Sequence, residues 1–169
     1  MTAPSSSEFS LPAAYQIRQC NEYAKLGLAG TSVLYSSGDS GVGVSGTSAL
    51  CPLQNSTFGH VKYSTNKKLN QFTVSFPGNC PYVTSVGATA LKNNTSVLDA
   101  NPEEAADIPL PQTTGPDYVF ASGGGFSSLF STPKYQKSAI KNYFANYNIT
   151  SVRVFFPFFS THLNAGLQY

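Results

Sequence analysis

The sequence predicts an α/β domain in which helices flank a parallel sheet. A helical pattern over Pro12–Leu28 runs with almost no linker into a short apolar, β-branched stretch at Thr31–Tyr35. A helix feeding a strand is half of a βαβ unit, and such units build parallel sheets. The strand then breaks at once into Ser36-Ser-Gly-Asp-Ser-Gly-Val-Gly43, which sets Asp39 on a tight turn just past the strand's carboxyl end. Ligands and catalytic groups collect there in open α/β sheets. The length, 169 residues, suits one domain with a proper core.

In the first helix, Ser10 is placed to cap and Pro12 suits the first turn. Ala13, Ile17, Cys20, Ala24 and Leu28 recur at spacings of three and four and make one apolar face. Gly30 is positioned to end it. Thr31–Tyr35 is expected to be a buried strand. Val42–Ser75 is polar and irregular, with Lys67 and Lys68 exposed, and a loop of that length is usually functional or tied down. Pro81–Thr89 is the next strand. Thr95–Gly115 is expected to be loop, with Glu103, Glu104 and Asp107 on a solvated face. Tyr118–Ala121 is a short strand. Three glycines in Ser122-Gly-Gly-Gly-Phe-Ser127 then mark a place where the backbone bends sharply or approaches something closely.

A second helix is expected from Thr132, its cap, through Pro133 to Tyr147. Tyr135, Ala139, Ile140, Tyr143, Phe144 and Tyr147 form its buried face, and Lys134, Lys137 and Lys141 its wet one. Val152–Phe159 is strongly apolar and needs to pack on something.

Three cysteines leave one over. Cys51 and Cys80 bracket the polar stretch, and a disulfide between them would tie it down, stabilising by about 3–4 kcal/mol in the chain-entropy model. Cys20, inside the helical pattern, then reads as a buried thiol.

Charged residues are 11% of the chain and the net charge is +2. That balance gives no reason to expect nucleic acid or a membrane surface as partner. There is no apolar run long enough to span a bilayer. Met1-Thr-Ala-Pro-Ser-Ser-Ser7 has neither a basic nor an apolar region of a signal peptide. Sequons at Asn55, Asn93, Asn94 and Asn148 point toward secretion, with Asn55, Asn94 and Asn148 as candidate glycosylation sites.

Asp39 is the sole carboxylate between Glu22 and Asp99. Several motifs overlap around it. Gly41-Val-Gly-Val-Ser-Gly46 has dinucleotide-site spacing, but no helix is expected to start there, and Lys62 stands where the ribose-binding acid belongs. Gly38-Asp-Ser-Gly41 matches the core of the chymotrypsin-class signature. That chemistry needs a histidine base, and neither His60 nor His162 lies in a recognisable setting. Ser45-Gly-Thr-Ser-Ala49 has the letters of a subtilisin-like nucleophile at Ser48, yet Pro52 interrupts the helix that serine should begin. Histidines and cysteines show no metal-ligand spacing, so no metal is expected in this chain.

Four stretches in order are more specific: Ala14-Tyr15 with Cys20-Asn-Glu-Tyr-Ala-Lys-Leu-Gly27, Ser32 through Gly43, Phe76-Pro-Gly-Asn-Cys-Pro-Tyr-Val-Thr-Ser-Val-Gly-Ala-Thr89, and Ser122-Gly-Gly-Gly-Phe-Ser127 with Pro133-Lys-Tyr-Gln136. Together they resemble the sedolisins, the serine-carboxyl peptidases, and among these the fungal tripeptidyl-peptidases. The resemblance covers 13–147, a partial catalytic domain, with a poorly matching segment at 1–12 and a divergent one at 148–169.

It implies an incomplete subtilisin-like α/β fold, a secreted parent, peptide or protein substrates, and peptide-bond hydrolysis at acid pH. By resemblance Asp39 belongs to the oxyanion hole. The family's glutamate base and its aspartate partner lie upstream of Ala13, and its serine nucleophile and calcium site lie downstream of Tyr169. Glu8 is not assigned as the base, and Ser48 falls too early to be the nucleophile. The chain alone is therefore expected to be inactive. A peptide-binding remnant without chemistry and a degenerate gene fragment are the alternatives.

Overall fold

A computed structural model describes residues 6–43, 51–53, 55–64, 71–110, 118–146 and 167–168. The motif at Ser45–Ala49, the apolar stretch Val152–Phe159, Asn148 and His162 lie outside the described residues.

The chain opens with a two-residue strand, β1 (Ser6–Ser7), and a 3-10 turn over Glu8–Ser10. The first helix, α1, spans Ala13–Leu28. Its N-cap is Pro12 and no side chain caps it, because the expected cap, Ser10, is taken up in the preceding turn. The carbonyl of Pro12 accepts from the amides of Tyr15 and Gln16, which starts the helical ladder.

The buried face of α1 is Gln16, Cys20 and Tyr23, rotated from the apolar face expected from the sequence. Ile17 is exposed, and Leu28 is 90% exposed. Three specific contacts set the rotation. Gln16 donates to the carbonyls of Glu8 (2.6 Å) and Leu11 (2.9 Å). Tyr23 shares a hydrogen bond with Tyr35 at 2.8 Å. Cys20 is covalently bonded to Cys80, with Cα atoms 5.6 Å apart.

That bond corrects the cysteine pairing. Cys80 joins Cys20 and not Cys51, so the closed loop spans a separation of 60 residues and contains the whole polar stretch. A half-cystine on a helix is buried for the same reason as an apolar side chain, which is why Cys20 read as a thiol.

After α1 comes β2 (Leu34–Ser36), which pairs in parallel with β6 (Thr84–Val86) in the register Leu34 to Thr84, Tyr35 to Ser85 and Ser36 to Val86. The parallel relationship is the one the helix–strand junction predicts. Val33, Tyr35, Val83 and Phe130 pack on the Cys20–Tyr23–Cys80 cluster, which is the core on this side. The other face is open: Leu34 is 59% exposed, so β2 is half-buried where full burial was expected.

Antiparallel pairs surround the parallel one. In the polar stretch, β3 (Cys51–Pro52) pairs with β4 (Tyr63–Ser64), and β5 (Ser75–Phe76) pairs with β1. The Phe76–Pro77 peptide bond is cis. Beyond β6, β7 (Thr89–Leu91) pairs with β8 (Glu103–Ala105), and β9 (Asp107–Leu110) pairs with β10 (Tyr118–Ala121). The region expected to be loop thus holds two strands. Every residue of β8 is exposed, so no apolar alternation marked it. Pro109, opposite Val119, would normally argue against a strand. Glu103, Glu104 and Asp107 do lie on a solvated face.

Next, β11 (Gly125–Phe126) pairs with β12 (Leu167–Gln168). Between them a 3-10 turn at Lys134–Gln136 leads into α2 (Lys137–Asn146). The cap is Pro133, not Thr132, whose buried hydroxyl has no partner among the described residues. Ile140 is the buried residue of α2, and Phe144 stacks on Phe126 with ring centroids 5.2 Å apart. Tyr135, expected inside, is 68% exposed and donates to the carbonyl of Pro81. Lys134, Lys137 and Lys141 face solvent as expected. The architecture is α/β: among the described residues the helices accompany one parallel and five antiparallel two-stranded pairs. Among the described residues no helix is long and apolar enough to cross a membrane.

Candidate functional site

Strand β2 delivers its chain to the mouth of the parallel pair. Ser37 is buried and its amide bonds the carbonyl of Val86 at 2.9 Å, extending the ladder by one residue. Gly38 and Gly41, at φ 104° and 58°, then turn the backbone and leave Asp39 exposed between them. The acid therefore stands just beyond the carboxyl end of β2.

The turn is held by the glycine-rich segment that follows β10. The Ala121 amide donates to the Asp39 carbonyl at 3.0 Å, and the Gly41 amide donates back to the Ala121 carbonyl at 3.1 Å. The Gly123 amide donates to the Gly38 carbonyl at 2.8 Å, and that of Gly124 to the Gly41 carbonyl at 3.2 Å. A Cβ at Gly123 would overlap the Ser37 carbonyl, so only glycine fits. This is the close approach the glycine run predicts.

A second constellation lies behind the turn, at a residue the sequence reading set aside. Glu8 has no exposed surface. Its Oε2 accepts from Ser127 Oγ at 2.8 Å and Asn79 Nδ2 at 3.1 Å, and its Oε1 accepts from the Ser128 amide at 2.9 Å. Burial pushes the carboxyl up from 4.5 to about 7, against the opposing pull of the hydrogen bonds from Ser128, Ser127 and Asn79. The available signal was slight. Glu8 is the sole acid before Glu22, beside a phenylalanine that proves to be buried and stacked on Phe58.

A cleft of roughly 290 Å3 is lined by Asn79, Cys80, Thr84, Ser131, Tyr135 and Gln136, among others. Its walls come from the turn before β6 and the segment before α2, not from the Asp39 turn. His60 is exposed. Among the described residues no group of three or more His, Cys, Asp or Glu could hold a metal ion. Asn55 and Asn94 are exposed.

No family model matches the chain. It is 42% identical over 144 residues to aorsin of Aspergillus oryzae, covering 83% of this chain and 19% of that protein. It is 39% identical over 140 residues to tripeptidyl-peptidase sed1 of Aspergillus fumigatus, covering 82% of this chain and 18% of that protein. Tripeptidyl-peptidase SED1 of Arthroderma otae is also 39% identical, over 134 residues, with 77% and 18% covered. The chain thus spans about a fifth of the length of these relatives. Among solved structures it is similar to Pseudomonas sedolisin, a serine-carboxyl proteinase complexed with two molecules of pseudo-iodotyrostatin. The TM-score is 0.50 at 22% identity, with 80% of this chain and 32% of that chain covered.

Proposed function

From the premise that the chain is homologous to one portion of the sedolisin and tripeptidyl-peptidase family, we propose that it is part of the catalytic domain of a secreted acid peptidase, with Asp39 contributing to its oxyanion hole. The observation that carries this reading is the Asp39 turn: an exposed acid just past the end of a parallel strand, its backbone fixed by four hydrogen bonds to Ala121, Gly123 and Gly124 of a neighbouring segment. A fixed backbone is what electrostatic stabilisation requires, because preorganised groups cost no reorganisation when charge develops.

The chemistry needs a protonated Asp39. A neutral carboxyl donates a hydrogen bond to the developing oxyanion, and an ionised one repels it. The resemblance to the serine-carboxyl peptidases likewise implies hydrolysis at acid pH. The serine nucleophile and the glutamate–aspartate pair are assigned to parts of the parent outside this chain, and Glu8, enclosed behind the turn, is not their substitute. Among the described residues no cluster of three or more ligating side chains fits the calcium implied for a complete domain. Asn55 and Asn94, both exposed, would accept glycans on a secretory route.

The test is a chimaera in which this chain's matched segment replaces its counterpart in tripeptidyl-peptidase sed1 of Aspergillus fumigatus. It is expected to release tripeptides at about pH 4. In it, Asp39→Ala should lower kcat roughly 100-fold to 1000-fold with little change in KM. The purified 169-residue chain alone should bind product-like peptides at most and turn nothing over. A folded chimaera whose activity is indifferent to Asp39→Ala would overturn the role of Asp39.

A further inference from the structure

Three strand junctions meet beside the Asp39 turn. Ala88 lies between β6 and β7, Ala106 between β8 and β9, and Ser122 directly after β10. Extending the β7–β8 register by one residue past Thr89 and Ala105 sets Ala88 opposite Ala106, and the Ala106 amide donates to the Ala88 carbonyl at 3.0 Å. Ser122 takes the place of the reciprocal bond. Its amide donates to the Ala106 carbonyl at 2.8 Å, and its Oγ accepts from the Ala88 amide at 3.1 Å. The three residues thus close a cycle of hydrogen bonds in which Ser122 supplies the one side-chain atom.

On one side of Ser122, Ala121 bonds the turn in both directions, donating to the Asp39 carbonyl and accepting from the Gly41 amide. On the other side, Gly123 donates to the Gly38 carbonyl. The turn's second anchor is the Ser37 amide on the carbonyl of Val86, two residues before Ala88. The glycines that follow Ser122 carry no side chain that could fix them. We propose that Ser122 is a positioning residue for Asp39: its hydroxyl ties the glycine-rich segment to the exit of β6 and so sets where the Asp39 backbone stands. The proposal rests on the reading of Asp39 as an oxyanion-hole group, and Ser122 acts through the Ala121 main chain, not on the reacting atoms. Such placement matters because a displacement of about 1 Å in a catalytic group can cost on the order of 100-fold in rate.

A hydroxyl is the group that fits this place. An alanine would keep the amide of residue 122 and its bond to Ala106, but it would take from the Ala88 amide its acceptor. A part-buried N–H without a partner is costly. Direct pairing of Ala88 with Ala106 would satisfy it, yet that claims the carbonyl on which the Ser122 amide rests. Opening the junction to water satisfies it as well. Either movement parts Ser122, and with it Ala121, from the exit of β6.

Two measurements test this. In amide exchange on the 169-residue chain, the amides of Ala88, Ser122, Ala121 and Gly41 should open as one unit, with protection within about threefold of one another. Ser122→Ala should lower all four by about tenfold or more and leave the Cys20 amide in α1 unchanged. Ala121 or Gly41 opening independently of Ala88 in the unsubstituted chain would overturn the proposal, even if Ser122→Ala does not fold. In the chimaera with tripeptidyl-peptidase sed1 of Aspergillus fumigatus, Ser122→Ala should lower kcat roughly tenfold to 100-fold with KM little changed. Added to Asp39→Ala it should lower kcat no further, because the two act through one group. An unaltered kcat in Ser122→Ala, or a full additional loss on the Asp39→Ala background, sinks the positioning role while Asp39 keeps its own. A chimaera indifferent to Asp39→Ala removes the oxyanion-hole reading, and this role with it.

Discussion

Ser127 and Glu8, 119 residues apart, meet with Ser127 Oγ 2.8 Å from Glu8 Oε2. The same hydroxyl oxygen accepts from the amides of Leu129 (3.1 Å) and Phe130 (2.9 Å). One small side chain thus closes its own turn and anchors the N-terminal segment. Replacing it leaves a buried carboxyl short of a donor and two amides short of an acceptor, which is the expensive way to lose a hydrogen bond.

Ser127→Ala should therefore destabilise the chain, and by a pH-dependent amount. With Glu8 ionised at pH 8 the lost bond is charge-assisted, and the expected cost is about 2–3 kcal/mol. With Glu8 neutral at pH 4 it should be about 1 kcal/mol. Urea unfolding at both pH values measures the difference. Equal costs would mean that Glu8 does not change charge between them.

The second expectation concerns the wild-type chain. Glu8 has a folded-state value of about 7 against an ordinary 4.5. A carboxyl raised on folding contributes stability that is whole below about pH 4.5 and lost as pH climbs through 7. The shift corresponds to a loss on the order of 3 kcal/mol. The chain should therefore unfold at lower urea concentration at pH 8 than at pH 5, and Glu8→Gln should narrow that gap. Most acids that gain partners on folding behave in the opposite way, so the sign alone is informative.

The disulfide gives a third. Closing a loop with a sequence separation of 60 residues is worth about 4 kcal/mol in the chain-entropy model. Cys20→Ser and Cys80→Ser should each remove about that much, and the double variant little more than either. Cys51→Ser should leave the melting temperature nearly unchanged. Non-reducing peptide mapping should recover the helix peptide carrying Cys20 joined to the one carrying Cys80.

What the sequence could and could not reveal follows from where the signal lies. The parallel pair was legible because helix, short linker and β-branched run are contiguous, and its expected partner strand was one more such run. β10 was recovered with its limits, Tyr118–Ala121. The rotation of α1 was not legible. Its buried face holds Gln16, chosen by the carbonyls of Glu8 and Leu11, and no hydropathy pattern reports carbonyls supplied by another segment. β8 was invisible because all of it is exposed. At the site, Asp39 could be singled out from its local turn, whereas Glu8 acquires its meaning from residues 71 and 119 positions away.

Two glycines offer a matched pair of substitutions with opposite outcomes. Gly27 lies within α1 with nothing within 4 Å of the place a Cβ would occupy. Gly27→Ala should stabilise the chain by about 0.5–1 kcal/mol, through helix propensity and a less flexible unfolded chain. Gly123 lies against the Ser37 carbonyl, where a methyl group cannot be placed without parting the glycine-rich segment from the Asp39 turn. Gly123→Ala should cost about 2 kcal/mol or more, because the methyl group overlaps the Ser37 carbonyl and relieving that overlap breaks the Gly123–Gly38 bond. Thermal melts of both variants measure the contrast. Amide exchange at Gly41 and Gly124 in Gly123→Ala then separates a local opening of the turn from a loss of the whole fold. If Gly123→Ala is tolerated with those amides still protected, the close approach does not govern the position of Asp39.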